Sequence, residues 1–422
     1  MDDDVPPREE VAIPVEGAAV DAHRTAPPEM AVQAAGDKTA EVAGSTEGLT
    51  PVPILDTPIG YFIMQKMMNE GAAAEGWWEI SLYSDAHIVG EVRTGLGPIE
   101  ILNSVPHPFA EPPQMCLVVR SEYCAWEEGP VDWGKTDTSS FHGGGMDEEL
   151  AGLISLAGGV RCKSGGVIRR SREGDPAGHP EAFGHHQPAL PGQKDRNPIL
   201  DLPQSMNVGD EVAELIAIYP KLELNQAVSL VRAARSFATA TWLAEEDPNY
   251  AWLMLVAAVE AAANERWRNE APTEVHFEDL LPEFCAALRE IGGDEAIRLA
   301  ADEFLPTLKA TKKFVAFLLE YLPEPPETRP ESFLQVDWGK MKAHMSVIYK
   351  WRSLAVHEGL PMPPPICQPL TSMHHDSPWA ERPFAPTAAE GGNWAEKDMP
   401  MNLNTFVYVA GGALRNWWRS LG

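Results

Sequence analysis

The chain has 422 residues, of which 33 are Lys or Arg and 62 are Asp or Glu, so its formal net charge is −29. That charge argues against a protein that coats nucleic acid by bulk electrostatics, because phosphate contacts need a surplus of Lys and Arg. It also disfavours binding to an anionic membrane surface. The length favours two or three domains, and the longest apolar run, residues 250–259, falls short of the roughly 18 residues that suggest a membrane span.

Residues 1–50 are predicted to be a disordered acidic tail. They carry 11 acidic and 3 basic residues and no Phe, Trp or Tyr, so they cannot bury enough apolar surface to offset the entropy of ordering. The first ten residues lack the basic and apolar regions of a signal peptide. The five cysteines are scattered, without a CxxC pair, which is typical of reduced thiols. We therefore expect a cytoplasmic protein that does not bind membranes.

Residues 51–205 are predicted to form a small β-containing N-terminal module with a Gly/Pro-rich loop. Short runs rich in β-branched and aromatic residues, separated by turn formers, are typical of antiparallel strands; they lie at 77–83, 87–93, 98–105 and 114–123. The rest of the module should be loop, apart from one helix over 146–161. A GxxxxGK[ST] match at 129–136 predicts no phosphate site, because no helix is expected to begin at Lys135.

Residues 206–422 are predicted to be an all-α helical bundle, which makes the whole chain α+β. Asp247-Pro248 has the pattern of a helix start, and Gly359 with Pro361 that of a helix end. Helical periodicity predicts helices over 209–222, 225–246, 248–268, 273–292, 294–305, 309–322, 337–357 and 404–421.

The end of the 337–357 helix carries an Arg and a His that can act on a phosphate. Arg352 and His357 are five positions apart, about 140° around an ideal helix, so they do not share one face. Arg is long and the helix ends here, so the two can converge at the helix terminus or across a dimer two-fold. A guanidinium can bind a phosphate through two hydrogen bonds, and an imidazole can pass protons near neutral pH. The alternative is that both residues merely cap and solvate a helix end.

The segment Tyr349-Lys350-Trp351-Arg352-Ser353, followed by His357-Glu358-Gly359, resembles the R-x4-6-H signature of the HEPN superfamily, in the form of its Apea-like branch. The resemblance covers about 207–422. It implies a compact helical bundle, usually dimeric, and in many members a metal-independent endoribonuclease of bacterial defence or toxin–antitoxin systems.

By this resemblance Arg352 would stabilise the scissile phosphate and His357 would donate or accept the proton, with no metal and no cofactor. Ser353 stands where several families have Asn, Asp or His. Tyr349, Ser353 and Lys350 are supporting candidates, and Lys340 and Lys342 add positive charge to the same helix.

Glu260 is the remaining supporting candidate, because it interrupts the apolar run of the 248–268 helix. A buried carboxylate needs a cationic partner, and HEPN domains often carry an acidic residue that faces the Arg-His pair. Glu260 is therefore expected either to orient Arg352 or to reach Arg266 at the surface.

The sequence thus predicts an endoribonuclease that binds RNA as a homodimer, with an antitoxin or a sensed ligand as a further partner of the N-terminal module. The alternative is a non-catalytic HEPN-like module for RNA or nucleotide binding or for dimerisation.

Overall fold

The computed structural model of the chain describes residues 58–105, 111–124, 134–172, 174–181, 184–191, 197–268, 277–278, 281–374 and 376–422. The described residues all belong to one compact unit that extends from Pro53 to Gly422. The predicted acidic tail, residues 1–50, lies outside the described residues. Mixed α+β architecture, as the sequence predicts, is confirmed.

The N-terminal part of this unit is built around a five-stranded antiparallel sheet with the order β3-β4-β1-β5-β6. Its elements are α1 (Ile59–Asn69), β1 (Gly76–Ser84), β2 (His87–Val89), β3 (Ile99–Asn103), β4 (Gln114–Tyr123), α2 (Met146–Gly158), β5 (Lys163–Arg170), β6 (His179–Pro180) and β7 (Ser205–Asn207). Strands β2 and β7 pair in parallel, apart from the main sheet. The four predicted strands and the helix near 146–161 are present. Helix α1 and strand β5 were not predicted.

One face of the sheet supplies the core of this part. On β1 and β4, Ile80 lies opposite Val119 and Leu82 opposite Leu117, and all four side chains are buried. Alternate residues of a strand point to opposite faces, so these positions share one side of the sheet. Leu150, Leu153 and Ile154 of α2 belong to the same hydrophobic cluster.

The C-terminal part is mainly helical, but it is not all-α as predicted, because residues 387–389 and 392–394 pair as a short antiparallel hairpin. Its elements are α3 (Ala213–Ile218), α4 (Leu224–Leu243), α5 (Pro248–Arg266), α6 (Pro282–Glu320), α7 (Met341–Glu358), a short hairpin of β8 (Thr387–Ala389) and β9 (Gly392–Trp394), and α8 (Leu403–Ser420). The predicted start at Asp247 is confirmed, because its carboxylate accepts the N–H of Tyr250 at 2.9 Å. The predicted 209–222 helix is divided into a π-helical turn, α3 and a 3-10 turn.

Helix α6 replaces three predicted helices. The predictions over 294–305 and 309–322 fall on one continuous stretch, which also contains the 282–292 part of the 273–292 prediction. Residues 277–278 are helical, and the other residues of that prediction before Leu281 lie outside the described residues. The backbone inside α6 is non-helical at Gly293, where φ is +66°, and this is the position at which one predicted helix ends (292) and the next begins (294). A residue without Cβ adopts that conformation easily, so the chain kinks there and continues.

The two parts share one hydrophobic cluster, which includes residues of β1, β4 and α2 as well as residues of α4, α5, α7 and α8. The boundary at 205/206 therefore does not coincide with a gap in the packing. None of the described helices is long and apolar enough to cross a membrane. All five cysteines are buried and unpaired, and burial raises the pKa of the Cys116 and Cys367 thiols to about 12.

Candidate functional site

Helix α7 positions the Arg-His motif. Met345, Ile348 and Tyr349 are buried and fix one face of the helix to the core, which leaves Arg352 partly exposed beside it. The helix ends after Glu358 because Gly359 adopts a left-handed conformation with φ of +67°. Its N–H and that of Leu360 are both directed to the carbonyl of Leu354, which closes the last turn.

Arg352 is held by Glu260 of the neighbouring helix α5. The Nη2 group donates to Oε2 of Glu260 at 2.8 Å, and the two side chains are 25% and 20% exposed. Arg266, the other partner considered for Glu260, binds Glu320 instead, at 3.0 Å. Of the two expected contacts, the structure therefore contains the one between Glu260 and Arg352.

Tyr349 fixes the other oxygen of the same carboxylate. Its hydroxyl donates to Oε1 of Glu260 at 2.8 Å, while its ring packs against Phe314 of α6, with centroids 5.2 Å apart. Burial first, and then the hydrogen bond and charge of Glu260, raise the pKa of Tyr349 far above its usual value. The hydroxyl therefore remains a donor. The guanidinium carbon of Arg352 also lies 5.6 Å from the centroid of the Tyr349 ring, a separation at which cation–π attraction operates.

The remaining N–H groups of Arg352 have no hydrogen-bond acceptor among the described residues. An arginine presents five N–H donors in a fixed fork, and here Glu260 takes one of them. Because both oxygens of Glu260 are engaged, the guanidinium is held in one orientation and keeps donors for an anion.

Lys350 and Ser353 do not join this group. Lys350 is exposed, and its Nζ lies 3.8 Å from Oδ1 of Asp398, in the segment that leads to α8. Trp351 reinforces that contact by donating its indole N–H to the carbonyl of Asp398 at 2.8 Å. Ser353 is partly buried and makes no side-chain hydrogen bond within the described part of the chain.

His357 lies about 1.4 helical turns beyond Arg352, in the last turn of α7, and is exposed. No hydrogen bond or ion pair joins it to Arg352 or to another described residue. Its neighbours Val356 and Leu360 are apolar but 53% and 46% exposed. Within one copy of the chain, the two motif residues are thus not joined by a hydrogen bond or an ion pair.

Other candidate features contribute less charge than the sequence suggests. Lys340 binds Asp337 at 3.0 Å, which partly neutralises the positive charge at the start of α7.

In the described residues, no group of three or more His, Cys, Asp and Glu side chains is placed to hold a metal ion. The chain from Gly134 to Gly145 contains no helix; α2 begins only at Met146. The context of a phosphate-binding loop is therefore missing at Lys135.

Comparison with known proteins adds no relative: no family model, no curated protein and no solved structure matches the chain.

Sequence reasoning gave no role to three groups that the structure makes prominent. Phe314 supports the ring of Tyr349, and Asp398 draws Lys350 away from Arg352. Arg415 lines a cavity that none of the Arg352-site residues lines. Nothing in the local sequence around Phe314 or Asp398 indicates these contacts, because their partners are more than thirty positions away in the chain.

Proposed function

We propose that residues 206–422 form a metal-independent endoribonuclease of HEPN type, active in bacterial defence or as the toxin of a toxin–antitoxin pair. The observation that carries the proposal is the double anchoring of Glu260, which fixes the Arg352 guanidinium while leaving most of its donors available. A preorganised cation of this kind stabilises the charge that develops on an attacked phosphate.

The reaction needs one proton removed and one supplied. The ribose 2′-hydroxyl loses its proton, its oxygen forms a bond to phosphorus, and the bond from phosphorus to the 5′-oxygen breaks as that oxygen gains a proton. The products are a 2′,3′-cyclic phosphate and a 5′-hydroxyl. His357 serves as acceptor or donor, and Arg352 balances the phosphate charge.

Two copies of the chain are part of the proposal. Arg352 and His357 lie about 140° apart around the helix axis, so a second copy offers the most direct way to bring an imidazole to the phosphate held by Arg352. The exposed apolar side chains of Val356 and Leu360 flank His357, which suits a contact between copies at this end of α7.

A non-catalytic role is the second candidate, in which the same residues bind RNA or a nucleotide or hold a dimer together. The observation that favours it is that Arg352 is already paired with a carboxylate, while no hydrogen bond or ion pair joins His357 to Arg352 among the described residues. In this case RNA binding depends on Arg352, and RNA remains intact.

RNA cleavage in the presence of EDTA distinguishes the two candidates. Full-length wild type should cut RNA, whereas Arg352→Ala and His357→Ala should each lose about a hundredfold or more of the rate. The 5′ ends should be hydroxyls that a polynucleotide kinase labels without prior phosphatase treatment. Exposed residues of the same types, changed as Arg298→Ala and His374→Ala, serve as matched controls.

Other results of this experiment would contradict the proposed enzyme or support the non-catalytic candidate. Cleavage by both motif variants at the wild-type rate contradicts the proposed roles, and activity that disappears in EDTA contradicts the metal-independent mechanism. If wild type binds RNA without cutting it, and Arg352→Ala does not bind, the non-catalytic candidate is supported.

A further inference from the structure

A cavity of about 270 Å³ lies between the end of α2, residues 201–203 and helix α8. Its polar lining consists of Asp201, Glu211, Asn404, Tyr408 and Arg415. A neighbouring cavity of about 230 Å³ shares Asp201, Asn404 and Tyr408 as a common wall. No residue of the Arg352 site lines either cavity, so a ligand here would be distinct from the RNA substrate.

Arg415 is the cationic group of the first cavity. Its Nη1 donates to the carbonyl of Leu156 in the last turn of α2, at 3.2 Å. No carboxylate of the described residues lies within ion-pair distance of it, and burial lowers the pKa of its guanidinium. A desolvated guanidinium without a counter-ion is unfavourable. The unused donors of Arg415 therefore provide a place for an anionic group.

The acidic residues of the lining differ in their pairing. Glu211 forms an ion pair with Arg419, so its charge is already balanced. Asp201 accepts the indole N–H of Trp379 at 3.0 Å and has no cationic partner among the described residues. One unbalanced positive charge and one unbalanced negative charge thus line the same cavity.

The uncharged residues of the lining determine which part of a ligand can be bound between Arg415 and Asp201. Leu202, Phe237 and Val407 are buried apolar residues that line the cavity. Asn404 accepts the backbone N–H of Asp201 at 2.9 Å through Oδ1, and its amide N–H groups have no acceptor in the described part of the chain. The cavity therefore combines two opposite charges, a spare donor and an apolar wall, in a volume close to the lower end of the range for small-ligand sites.

We propose that this cavity binds a zwitterionic amino-carboxylate, such as a free amino acid, with its carboxylate at Arg415 and its ammonium group at Asp201. The planar fork of a guanidinium matches a carboxylate in two hydrogen bonds. A phosphate dianion fits less well, because the Asp201 carboxylate in the same cavity would repel its second charge. The apolar wall accepts the side chain of the amino acid.

The test is ligand-dependent stabilisation of the full-length chain. Thermal unfolding is followed with each of the common L-amino acids in turn, and with sodium acetate, ethylamine and inorganic phosphate as probes of the separate charges. At least one amino acid should raise Tm, because a ligand that binds only the folded state stabilises it. Acetate and ethylamine at the same concentration should raise it much less.

Variants of the two charged residues complete the test. Titration calorimetry with the stabilising amino acid should show at least about tenfold weaker binding for Arg415→Lys, which keeps the charge and loses the fork, and for Asp201→Asn. Arg298→Met, which removes an exposed cation whose partner Glu295 lines neither cavity, is the matched control and should bind like wild type.

The proposal is overturned if no amino acid raises Tm, or if phosphate alone does so. It is equally overturned if the stabilisation persists in both Arg415→Lys and Asp201→Asn. Since Asp201 is exposed and lies outside a helix, its variant tests the site even if changes at Arg415 impair folding.

Discussion

Glu260 is the side chain on which the orientation of Arg352 depends. Its two oxygens accept from two different donors, the Tyr349 hydroxyl and the Arg352 guanidinium. Loss of the carboxylate charge removes the ion pair but leaves an oxygen that can still accept from Tyr349. The change Glu260→Gln therefore isolates the electrostatic contact with Arg352.

We expect Glu260→Gln to lower the rate of RNA cleavage by about tenfold or more, because the guanidinium is no longer held in place. The free energy of unfolding should fall by only about 1 kcal/mol, since both side chains are partly exposed and solvent screens the pair. Cleavage assays and urea unfolding of the same preparation measure the two effects.

The pair formed by Glu320 and Arg266 provides the matched control. This ion pair connects α5 and α6, with 3.0 Å between Arg266 Nε and Glu320 Oε1, and it does not include Arg352. Glu320→Gln should leave cleavage unchanged and cost less than about 1 kcal/mol. Equal losses of activity in both variants would mean that a general effect of charge, and not the orientation of Arg352, governs the rate.

A cationic partner for Glu260 could be anticipated, because a carboxylate inside an apolar helix needs one, but the sequence left Arg352 and Arg266 as alternatives. Helical geometry also separates Lys350 from Arg352, because two positions correspond to about 200° around the helix. The proximity of Lys350 to Asp398, in contrast, could not be anticipated from the local sequence. The pairing of Glu260 with Tyr349 depends on how α5, α6 and α7 pack, which the local pattern does not contain.

The start of helix α1 depends on a side chain from another helix. Pro58 precedes the helix and offers no side-chain cap. Instead, the buried carboxylate of Glu149 in α2 accepts the N–H groups of Gly60 and Tyr61, each at 3.1 Å, and the hydroxyl of Tyr219. Burial outweighs these hydrogen bonds and raises the pKa of Glu149 to about 7.

Stability should therefore depend on pH through Glu149. The folded protein keeps this proton at pH values where the unfolded chain, with an ordinary pKa of 4.5, releases it. Folding then binds a proton, so the stabilising contribution is complete below about pH 4.5 and is lost as the pH rises to about 7. Each unit of difference between the folded and unfolded pKa corresponds to about 1.36 kcal/mol, so the free energy of unfolding should fall by about 3 kcal/mol over this pH range.

Urea unfolding between about pH 4.5 and 8 measures this dependence in wild type and in Glu149→Gln. The variant cannot titrate at this position, so its free energy of unfolding should fall less steeply with pH. Glu148→Gln, at the adjacent and half-exposed position that binds Arg235, should retain the wild-type slope. If Glu149→Gln and wild type have the same slope, Glu149 does not hold a proton in the folded state.

Helices with clear periodicity and end signals were predicted well, and elements stabilised by distant partners were not. Helix α5 begins at Asp247 and α7 ends at Gly359, as their local residues indicate. Helix α1 has its N-terminal acceptor 88 positions away in Glu149. Strand β5 contains Gly165 and Gly166, which weaken any strand pattern, yet it pairs along β1 in the middle of the sheet. The structure of such segments is determined by their contacts with distant strands and side chains.

Charged as well as apolar contacts connect the sheet with the helical part of the chain. Arg161, which follows α2, is buried and binds Asp85 at 2.6 Å and Glu245 at 3.0 Å. It also donates to the carbonyl of Thr241 at 2.8 Å. Since Asp85 follows β1 and Glu245 follows α4, this guanidinium connects the sheet with the helices. The organisation into separate modules remains a prediction of the sequence, while the packing around Arg161 is continuous.

Removal of that guanidinium should destabilise the sheet and the helices together. In Arg161→Met, two largely buried carboxylates lose their shared cation, a change that costs about 3 kcal/mol or more. Urea unfolding followed by circular dichroism for the helices and by chemical labelling of the buried Cys116 thiol for the sheet should show one transition, displaced to lower urea by the same amount for both signals. Arg169→Met on β5, where the side chain is 41% exposed, should shift the midpoint much less. Two separate transitions, with only one displaced by Arg161→Met, would show instead that the sheet and the helices unfold independently despite their common core.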